Sequence, residues 1–197
     1  MKTSTLEAFI ASGRGRRMGY DFTYDWFSWN IPLFEKHLGP LRDTPINVVE
    51  IGSHEGRSTT WLLDNVLTHH DARLICIDYH LQEKFWPNVE QTGARAKVEM
   101  ILGYSHRGLA SLPVEIYDFV YVDGSHWSCD VLEDAVLGFR RVKVGGIIAF
   151  DDYLWDDPKY NQHGCPKPAV DAFLQMYSHK LEVLDVAQQV WVRKISD

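Results

Sequence analysis

The sequence predicts an α/β fold: a single doubly wound, mostly parallel, seven-stranded sheet with helices on both of its faces. Short continuous apolar runs alternate with amphipathic stretches along most of the chain. Strands buried on both faces have such runs, and parallel neighbours need a crossover helix between them. The 197 residues, 45% hydrophobic and 24% charged, suffice for one domain with a substantial core.

Seven short segments have the composition of strands, because they are apolar runs bounded by turn residues. The strands are expected at residues 46–51, 74–77, 98–102, 119–122 and 147–150, with a closing pair at 181–186 and 188–193. Apolar residues recur at the helical period between most of these segments. Helices are therefore expected at residues 26–38, 57–67 and 106–111, around 131–139 with a stop at 143–146, and around 170–177.

These elements suggest that the chain has two parts. Residues 1–45 are expected to form an N-terminal arm and a helix that covers the sheet, and residues 46–197 the main globular unit. The basic run 13–17 within the arm is interpreted as a solvated, flexible segment.

Charge and composition exclude several function classes. A formal net charge of −7 argues against broad binding to nucleic acid or to anionic membranes. No apolar run has the length of a membrane span or the form of a signal peptide, and the three cysteines form no metal or disulfide motif. We therefore expect a cytoplasmic protein with neither nucleic-acid nor membrane partners. The oligomeric state stays open, a homo-oligomer included.

The ends of the first two strands indicate a nucleoside-containing ligand. In parallel α/β sheets, ligands bind beyond the carboxyl ends of the strands. Gly52 and Gly56 follow the first strand and allow a tight turn, but their spacing is not that of a dinucleotide fingerprint. Asp78 ends the second strand, where a carboxylate can accept both hydroxyls of a ribose. Each feature alone could equally be structural, and together they indicate an adenosine-containing cofactor.

Carboxylates stand at the ends of the fourth and fifth predicted strands. Asp123 ends the fourth strand, and Asp151 and Asp152 end the fifth, which should be its neighbour. Crowded carboxylates repel one another, and a hard divalent cation such as Mg²⁺ relieves that repulsion. Adjacent strand residues point to opposite faces, so Asp151 and Asp152 can share an ion only if the chain turns there. Alternatively, one caps a loop while another stays solvated.

Residues 46–153 as a whole resemble a known family, the metal-dependent small-molecule O-methyltransferases related to macrocin O-methyltransferase and cephalosporin-hydroxylase-like proteins. This is a class I S-adenosylmethionine-dependent methyltransferase family with a Rossmann-like fold. The resemblance rests on Val49-Glu50-Ile51-Gly52 with Gly56, on the D-G-x-H element 123–126, and on the G-G-x-x-x-x-D-D element 145–152. The two longer elements fall at strand ends in the family's order.

The resemblance implies roles for particular residues. The methionine part of S-adenosylmethionine would be held by Glu50, Gly52, Ser53, Gly56 and Ser58, and its ribose by Asp78. Asp123, Asp151 and Asp152 would bind Mg²⁺, and Asp123 and His126 would be catalytic, with His126 as the general base. Tyr104 stands where the family often has Asp, so on the adenine side only Ser105 is carried over.

The function that the resemblance implies is Mg²⁺-assisted O-methylation of a small-molecule hydroxyl. Sugar, polyketide, phenolic and peptide hydroxyls all fit that chemistry. A non-catalytic S-adenosylmethionine-binding domain is the first alternative. A nicotinamide-dependent reductase is less favoured, because its glycine fingerprint and Tyr-x-x-x-Lys pair are missing, and a nucleic-acid methyltransferase lacks an Asn-Pro-Pro-Tyr-type element.

Two further segments flank the predicted site. Residues 153–167 follow the carboxylates directly and are interpreted as an acceptor-binding lid, with a plain surface loop as the alternative. Near the N-terminus, Tyr20, Phe22, Tyr24 and Trp26 could line the acceptor side, but we expect them to pack against the sheet.

Overall fold

The strands form one seven-stranded mixed sheet in the computed structural model, which describes residues 19–155 and 164–197. They are β1 (Asn47–Ile51), β2 (Arg73–Asp78), β3 (Val98–Leu102), β4 (Tyr117–Val122), β5 (Val142–Phe150), β6 (Leu181–Val186) and β7 (Val190–Lys194). Their order across the sheet is β3-β2-β1-β4-β5-β7-β6. The first five strands pair in parallel, whereas β7 is antiparallel to both of its neighbours. The predicted α/β class and seven strands are confirmed.

Helices cover both faces of the sheet. They are α1 (Ile31–Leu38), α2 (Arg57–Asn65), α3 (Phe85–Gln91), α4 (Ser105–Ser111), α5 (Ser128–Arg141) and α6 (Lys167–Met176). Apolar side chains of α1, α2 and α3 share one buried cluster with alternate strand residues such as Val48 and Tyr121. Side chains of α4, α5 and α6 share the other cluster with Val49 and Val120. Successive side chains of β1 and β4 therefore pack alternately into two separate hydrophobic cores.

The first helix begins later than the sequence predicted. A 3-10 turn (Ser28–Asn30) leads into α1, and Pro32 occupies its first turn, where a missing N–H costs nothing. The backbone N–H groups of Phe27 and Ser28 donate to the Asp25 carboxylate at 3.3 and 2.9 Å, which holds this stretch in a turn instead of a helix. Phe34 and Leu38 of α1 are fully buried against the sheet. The proposed division of the chain at residue 45 stays a prediction.

Two other elements differ from the sequence prediction. Helix α3 was not predicted, although Phe85 and Val89 are spaced by one helical turn and Pro87 is tolerated in the first turn. Strand β5 begins at Val142, five residues earlier than expected, because the pairing with β4 shifts between Tyr117 and Phe119. Gly145, with φ of 88°, lies in that irregular stretch.

Some predicted features lie outside the described residues. These are the basic run 13–17 and most of the predicted lid, residues 156–163. Within residues 19–155 and 164–197, no helix combines the length and the apolar character that crossing a bilayer requires.

Candidate active site at the carboxyl edge of the sheet

Hydrogen bonds just beyond the strand ends place the predicted site residues in one row. The Gly52 N–H donates to the Ile77 carbonyl, the Asp123 N–H to the Ile51 carbonyl, and the Asp151 N–H to the Val122 carbonyl, each at 2.9 Å. These bonds continue the ladders of β1, β2, β4 and β5 by one step. Strands β4 and β5 are neighbours, as predicted. The glycine turn and both acidic strand ends therefore stand side by side.

The glycines of the turn are required by the packing of the protein itself. Gly52 has φ of 83°, and a Cβ there would lie 1.9 Å from the Asp123 carbonyl oxygen. Gly56 has φ of 84°, and a Cβ there would lie 3.2 Å from the Phe85 ring. Both positions need glycine for their backbone conformation, and Gly52 also for the close approach of two strand ends. Gly56 precedes α2, so the turn delivers the chain to a helix N-terminus.

Asp78 holds the turn in place. Its Oδ2 accepts the backbone N–H groups of Ser53 and His54, both at 3.0 Å. Its Oδ1 accepts the His80 N–H at 3.0 Å. A carboxylate has about four acceptor positions, so one is left for a ligand hydroxyl. The residue predicted to contact a ribose is thus also the residue that holds the glycine turn in its conformation.

Polar atoms are buried beneath the turn. Glu50 is fully buried, and its Oε2 accepts a hydrogen bond from the Thr59 hydroxyl. Burial raises the pKa of Glu50, and the Ser58 and Thr59 hydroxyls offset part of the rise. Glu50 Oε1 and Ser53 Oγ are buried with no hydrogen-bond partner among the described residues. Unpartnered polar atoms at a turn before a helix fit a polar ligand such as the methionine part of S-adenosylmethionine.

The carboxylate of Asp151 is held tightly from several sides. It is 8% exposed, and its Oδ2 accepts the Asn30 amide at 2.9 Å together with the Tyr121 hydroxyl. Its Oδ1 accepts the Asp152 N–H at 2.8 Å. The Gln189 amide lies 3.3 Å from the Tyr121 hydroxyl, which extends this buried chain to the β6–β7 hairpin. Burial, more than any neighbouring charge, raises the pKa of Asp151 to about 6.

Asp152 turns toward His126. The backbone at Asp152 has φ of 55°, so the chain turns immediately after β5, as a site shared with Asp151 would require. Asp152 Oδ2 lies 2.7 Å from His126 Nε2, and the Trp155 ring lies 4.4 Å from the imidazole. The structure therefore pairs the predicted general base with one of the predicted metal ligands.

Asp123 completes the acidic group. Burial first, then the charges of Asp151 and Asp152, raise its pKa well above the ordinary value. Asp123, His126, Asp151 and Asp152 all line one small cavity. The oxygens of the three aspartates do not converge as ligands of one ion. Across the described ranges, three His, Cys, Asp or Glu side chains bring ligand atoms within 4.8 Å of one another only at the turn 69–71, remote in sequence from these strand ends. The carboxylate oxygens and the shared cavity fit Mg²⁺ chemically. The three side chains are not arranged as the coordination shell of one ion in this structure.

Ser105, which was predicted to lie on the adenine side, has Asp134 as its neighbour in the structure. Ser105 begins α4 and lies against Asp134 of α5, which is 1% exposed. Burial raises the pKa of Asp134 to about 7, and the Ser105 hydroxyl opposes that rise. Tyr104, the departure from the family pattern, is 66% exposed and stacks on His106 at 5.8 Å.

Residues 19–30, called here the strap, cross the site and were not predicted to do so. Thr23 donates to the Glu55 carboxylate through its N–H at 2.5 Å and its hydroxyl at 2.6 Å, and the Arg57 guanidinium pairs with Asp25 at 2.5 Å. Tyr24 and Trp26 are each 58% exposed, so the expectation that they pack against the sheet is wrong. They stay in solvent because Thr23 and Asp25, on either side of Tyr24, hold the strap against the turn and α2.

The sequence reasoning also missed the residues that hold Asp151. Tyr121 was interpreted as part of an apolar strand. A buried tyrosine hydroxyl needs a hydrogen-bond partner, so a tyrosine in a fully buried central strand could have indicated a polar group nearby. Asn30 and Gln189 carry no such signal, because they come from distant parts of the chain and meet only in the fold.

Comparisons with known proteins show the family of the chain and its fold. A family profile described as a methyltransferase domain matches residues 49–153. The tapetum-specific methyltransferase 1 of Arabidopsis thaliana is 32% identical over an alignment of 117 positions, and the alignment covers 55% of this chain and 47% of that protein. The match thus spans about half the length of this curated relative.

Two solved structures share the fold. An O-methyltransferase from Bacillus cereus in complex with S-adenosylhomocysteine (SAH) superposes with a TM-score of 0.67 at 16% identity. The match covers 98% of this chain and 92% of the other. MycE, a methyltransferase of the mycinamycin biosynthetic pathway in complex with Mg, SAH and mycinamycin VI, gives a TM-score of 0.63 at 15% identity. That match covers 87% of this chain and 50% of MycE.

Proposed function

The chain belongs to the methyltransferase-domain family, and on that premise we propose that it is an S-adenosylmethionine-dependent O-methyltransferase of a small-molecule hydroxyl. The resemblance to class I methyltransferases drawn from the sequence is confirmed by the family match. The observation that carries the proposal is the row at the sheet edge, where a cofactor turn fixed by Asp78 stands beside Asp123 and the His126–Asp152 pair. The cytoplasm is the compartment we propose for it.

The cofactor would lie over the turn between β1 and α2. Glu50, Gly52, Ser53, Gly56 and Ser58 surround the proposed methionine position, and the unpartnered Ser53 hydroxyl is a group that a ligand could satisfy. Asp78 would contact the ribose with its remaining acceptor position. Ser105 is the residue proposed on the adenine side, where its hydroxyl is shared with Asp134.

His126 is the proposed general base for the acceptor hydroxyl. Methyl transfer to oxygen is an in-line displacement, so the protein must position two reactants and take one proton. Because His126 Nε2 lies on the Asp152 carboxylate, Nδ1 is the nitrogen left to receive that proton. Asp152 then stabilises the imidazolium that forms, and the Trp155 ring limits rotation of the imidazole.

Asp123, Asp151 and Asp152 are the proposed ligands of Mg²⁺. A bound Mg²⁺ would lower the pKa of an acceptor hydroxyl. The mutual repulsion of these carboxylates supports a cation, and MycE was crystallised with Mg. The hydrogen bonds that hold Asp151 favour a second candidate, methyl transfer by the His126–Asp152 pair without a metal.

Calorimetric titration of SAH, with and without Mg²⁺, tests the proposal. We expect binding to the wild type, loss of binding in Asp78→Ala, and unchanged binding in Asp71→Ala, an exposed aspartate outside the site. Absence of SAH and S-adenosylmethionine binding in the folded wild type would refute the proposed cofactor. Titrating Mg²⁺ into the SAH complex of wild type and Asp123→Asn separates the two mechanisms, because only the metal mechanism predicts Mg²⁺ binding that the variant loses.

A further inference from the structure

The exposed tyrosines and tryptophans of the described residues all stand around the carboxyl edge of the sheet. Tyr79 follows β2, Tyr104 follows β3 and Trp127 follows β4, with exposures of 81%, 66% and 46%. The other three, Tyr24, Trp26 and Trp29, belong to the strap and are each 58% exposed. Exposed aromatics that gather at one end of a protein mark a binding surface more often than scattered ones do.

The strap aromatics are attached to the proposed cofactor turn. Tyr24 and Trp26 stack with their centroids 4.8 Å apart and their planes 5° from parallel. The Trp26 ring lies 5.1 Å from that of His54. His54 belongs to the glycine turn, and its N–H donates to Asp78. The rings of Tyr24, Trp26 and His54 therefore form one contiguous aromatic group that borders the position proposed for S-adenosylmethionine.

The other end of the strap is attached to the acidic strand end. Trp29 immediately precedes Asn30, whose buried amide donates to the Asp151 carboxylate. The middle of the strap is fastened by the Thr23–Glu55 and Asp25–Arg57 contacts, so its aromatic side chains have a rigid support. The strap thus carries exposed indole and phenol rings from the cofactor turn to the place where the acceptor hydroxyl would react.

We propose that Tyr24 and Trp26, with Trp29 beside them, bind the methyl acceptor, and that this acceptor is a planar aromatic hydroxyl compound without negative charge. The inference rests on the proposed function. Tryptophan and tyrosine faces attract flat rings by stacking and attract cations, whereas an aliphatic polyol gains neither interaction. In the metal-free SAH complex, anionic acceptors are disfavoured because Asp123, Asp151 and Asp152 already repel one another at the same edge.

The test compares three probes of similar size on the SAH complex, by ligand-observed NMR titration. Catechol is the planar probe, trans-cyclohexane-1,2-diol presents two hydroxyls without a flat face, and 3,4-dihydroxybenzoate adds a negative charge. We expect catechol to bind roughly three- to tenfold more tightly than the diol, which is the range of one aromatic stacking contact. Catechol should also bind more tightly than 3,4-dihydroxybenzoate, because the carboxylate of that probe is repelled by the acidic strand ends. Trp26→Ala should remove the preference for catechol over the diol, and Trp26→Phe should retain most of it.

Met176→Ala serves as the matched control, because Met176 is 66% exposed at the end of α6 and outside the strap. Equal binding of catechol and the diol to the wild-type SAH complex would overturn the aromatic acceptor and leave the methyltransferase proposal standing. A catechol preference that survives Trp26→Ala would overturn the role of the strap. If Trp26→Ala lowers the oligomeric mass and the wild type shows no preference for catechol, the strap aromatics contact a second copy of the chain and the acceptor proposal is overturned. Failure of SAH to bind would instead refute the function on which the inference rests.

Discussion

The two halves of the carboxyl edge differ in how their carboxylates are compensated. On the β1–β2 side, Asp78 accepts three backbone N–H groups and holds the glycine turn in its conformation. On the β4–β5 side, Asp123, Asp151 and Asp152 stand together, and burial and mutual repulsion raise the pKa of Asp123 well above its usual range. The donors there are the Tyr121 hydroxyl, the Asn30 amide, the Asp152 N–H and His126.

The two halves therefore have opposite effects on the stability of the folded protein. A carboxylate that accepts several N–H bonds stabilises its surroundings in the absence of any ligand. Carboxylates that are buried together destabilise the fold, and proteins keep such groups where function uses them. The turn held by Asp78 is therefore preorganised as folded, although Glu50 Oε1 and Ser53 Oγ beneath it have no hydrogen-bond partner among the described residues. The β4–β5 half has repelling carboxylates that a cation or a proton would stabilise.

The largest expected effect comes from breaking the contact between the halves. In Gly52→Ala, the new methyl group would lie 1.9 Å from the Asp123 carbonyl, and φ of 83° is itself unfavourable for alanine. We expect a loss of at least about 3 kcal/mol in the free energy of unfolding, measured by urea titration. Gly93→Ala is the control, because φ is 71° there and nothing lies within 4 Å of the added Cβ. It should cost only about 1 kcal/mol, and equal losses in both variants would show that the packing contact is unimportant.

A second prediction isolates the cost of a buried carboxylate away from the proposed metal ligands. Burial raises the pKa of Asp134 to about 7, so the folded protein holds this proton after the unfolded chain has lost it. The stability contributed by the neutral acid is complete below about pH 4 and is lost as the pH rises toward 7. Between pH 5 and pH 8, wild type should lose roughly 2–3 kcal/mol more than Asp134→Asn does. Parallel stability curves for the two proteins would contradict the raised pKa.

The smallest expected effects compare the two halves directly, with the same substitution in each. Asp78→Asn weakens acceptors of three backbone N–H groups and should destabilise the protein by about 1–2 kcal/mol. Asp123→Asn removes a repelling charge and should stabilise the Mg²⁺-free protein at pH 8 by about 1 kcal/mol. Both changes can be measured by denaturant unfolding in EDTA. Effects of the same sign would remove the distinction drawn between the two halves.

The sequence predicted most of the framework because its signals are local. Continuous apolar runs and the helical period gave the strands and five of the six helices of the described residues. Helix α3 was missed because it is short and contains Pro87, which outweighed the spacing of Phe85 and Val89. The early start of β5 was missed because Gly145 and Gly146 are typical of a turn, whereas in the structure they lie in an irregular stretch of β5 between the pairs Tyr117–Val142 and Phe119–Ile147.

The sequence by itself determined the order of elements, the glycine turn and the identity of the carboxylates at the strand ends, because spacing and residue type follow the chain. Only the tertiary structure decided how those carboxylates are used. Asp151 is held by Asn30 and Tyr121, which come from other elements, and Asp152 faces His126 across the cavity. The strap reaches the glycine turn through Thr23 and Glu55, which are 32 residues apart. Such contacts depend on which elements meet in space, and a linear pattern carries no record of them.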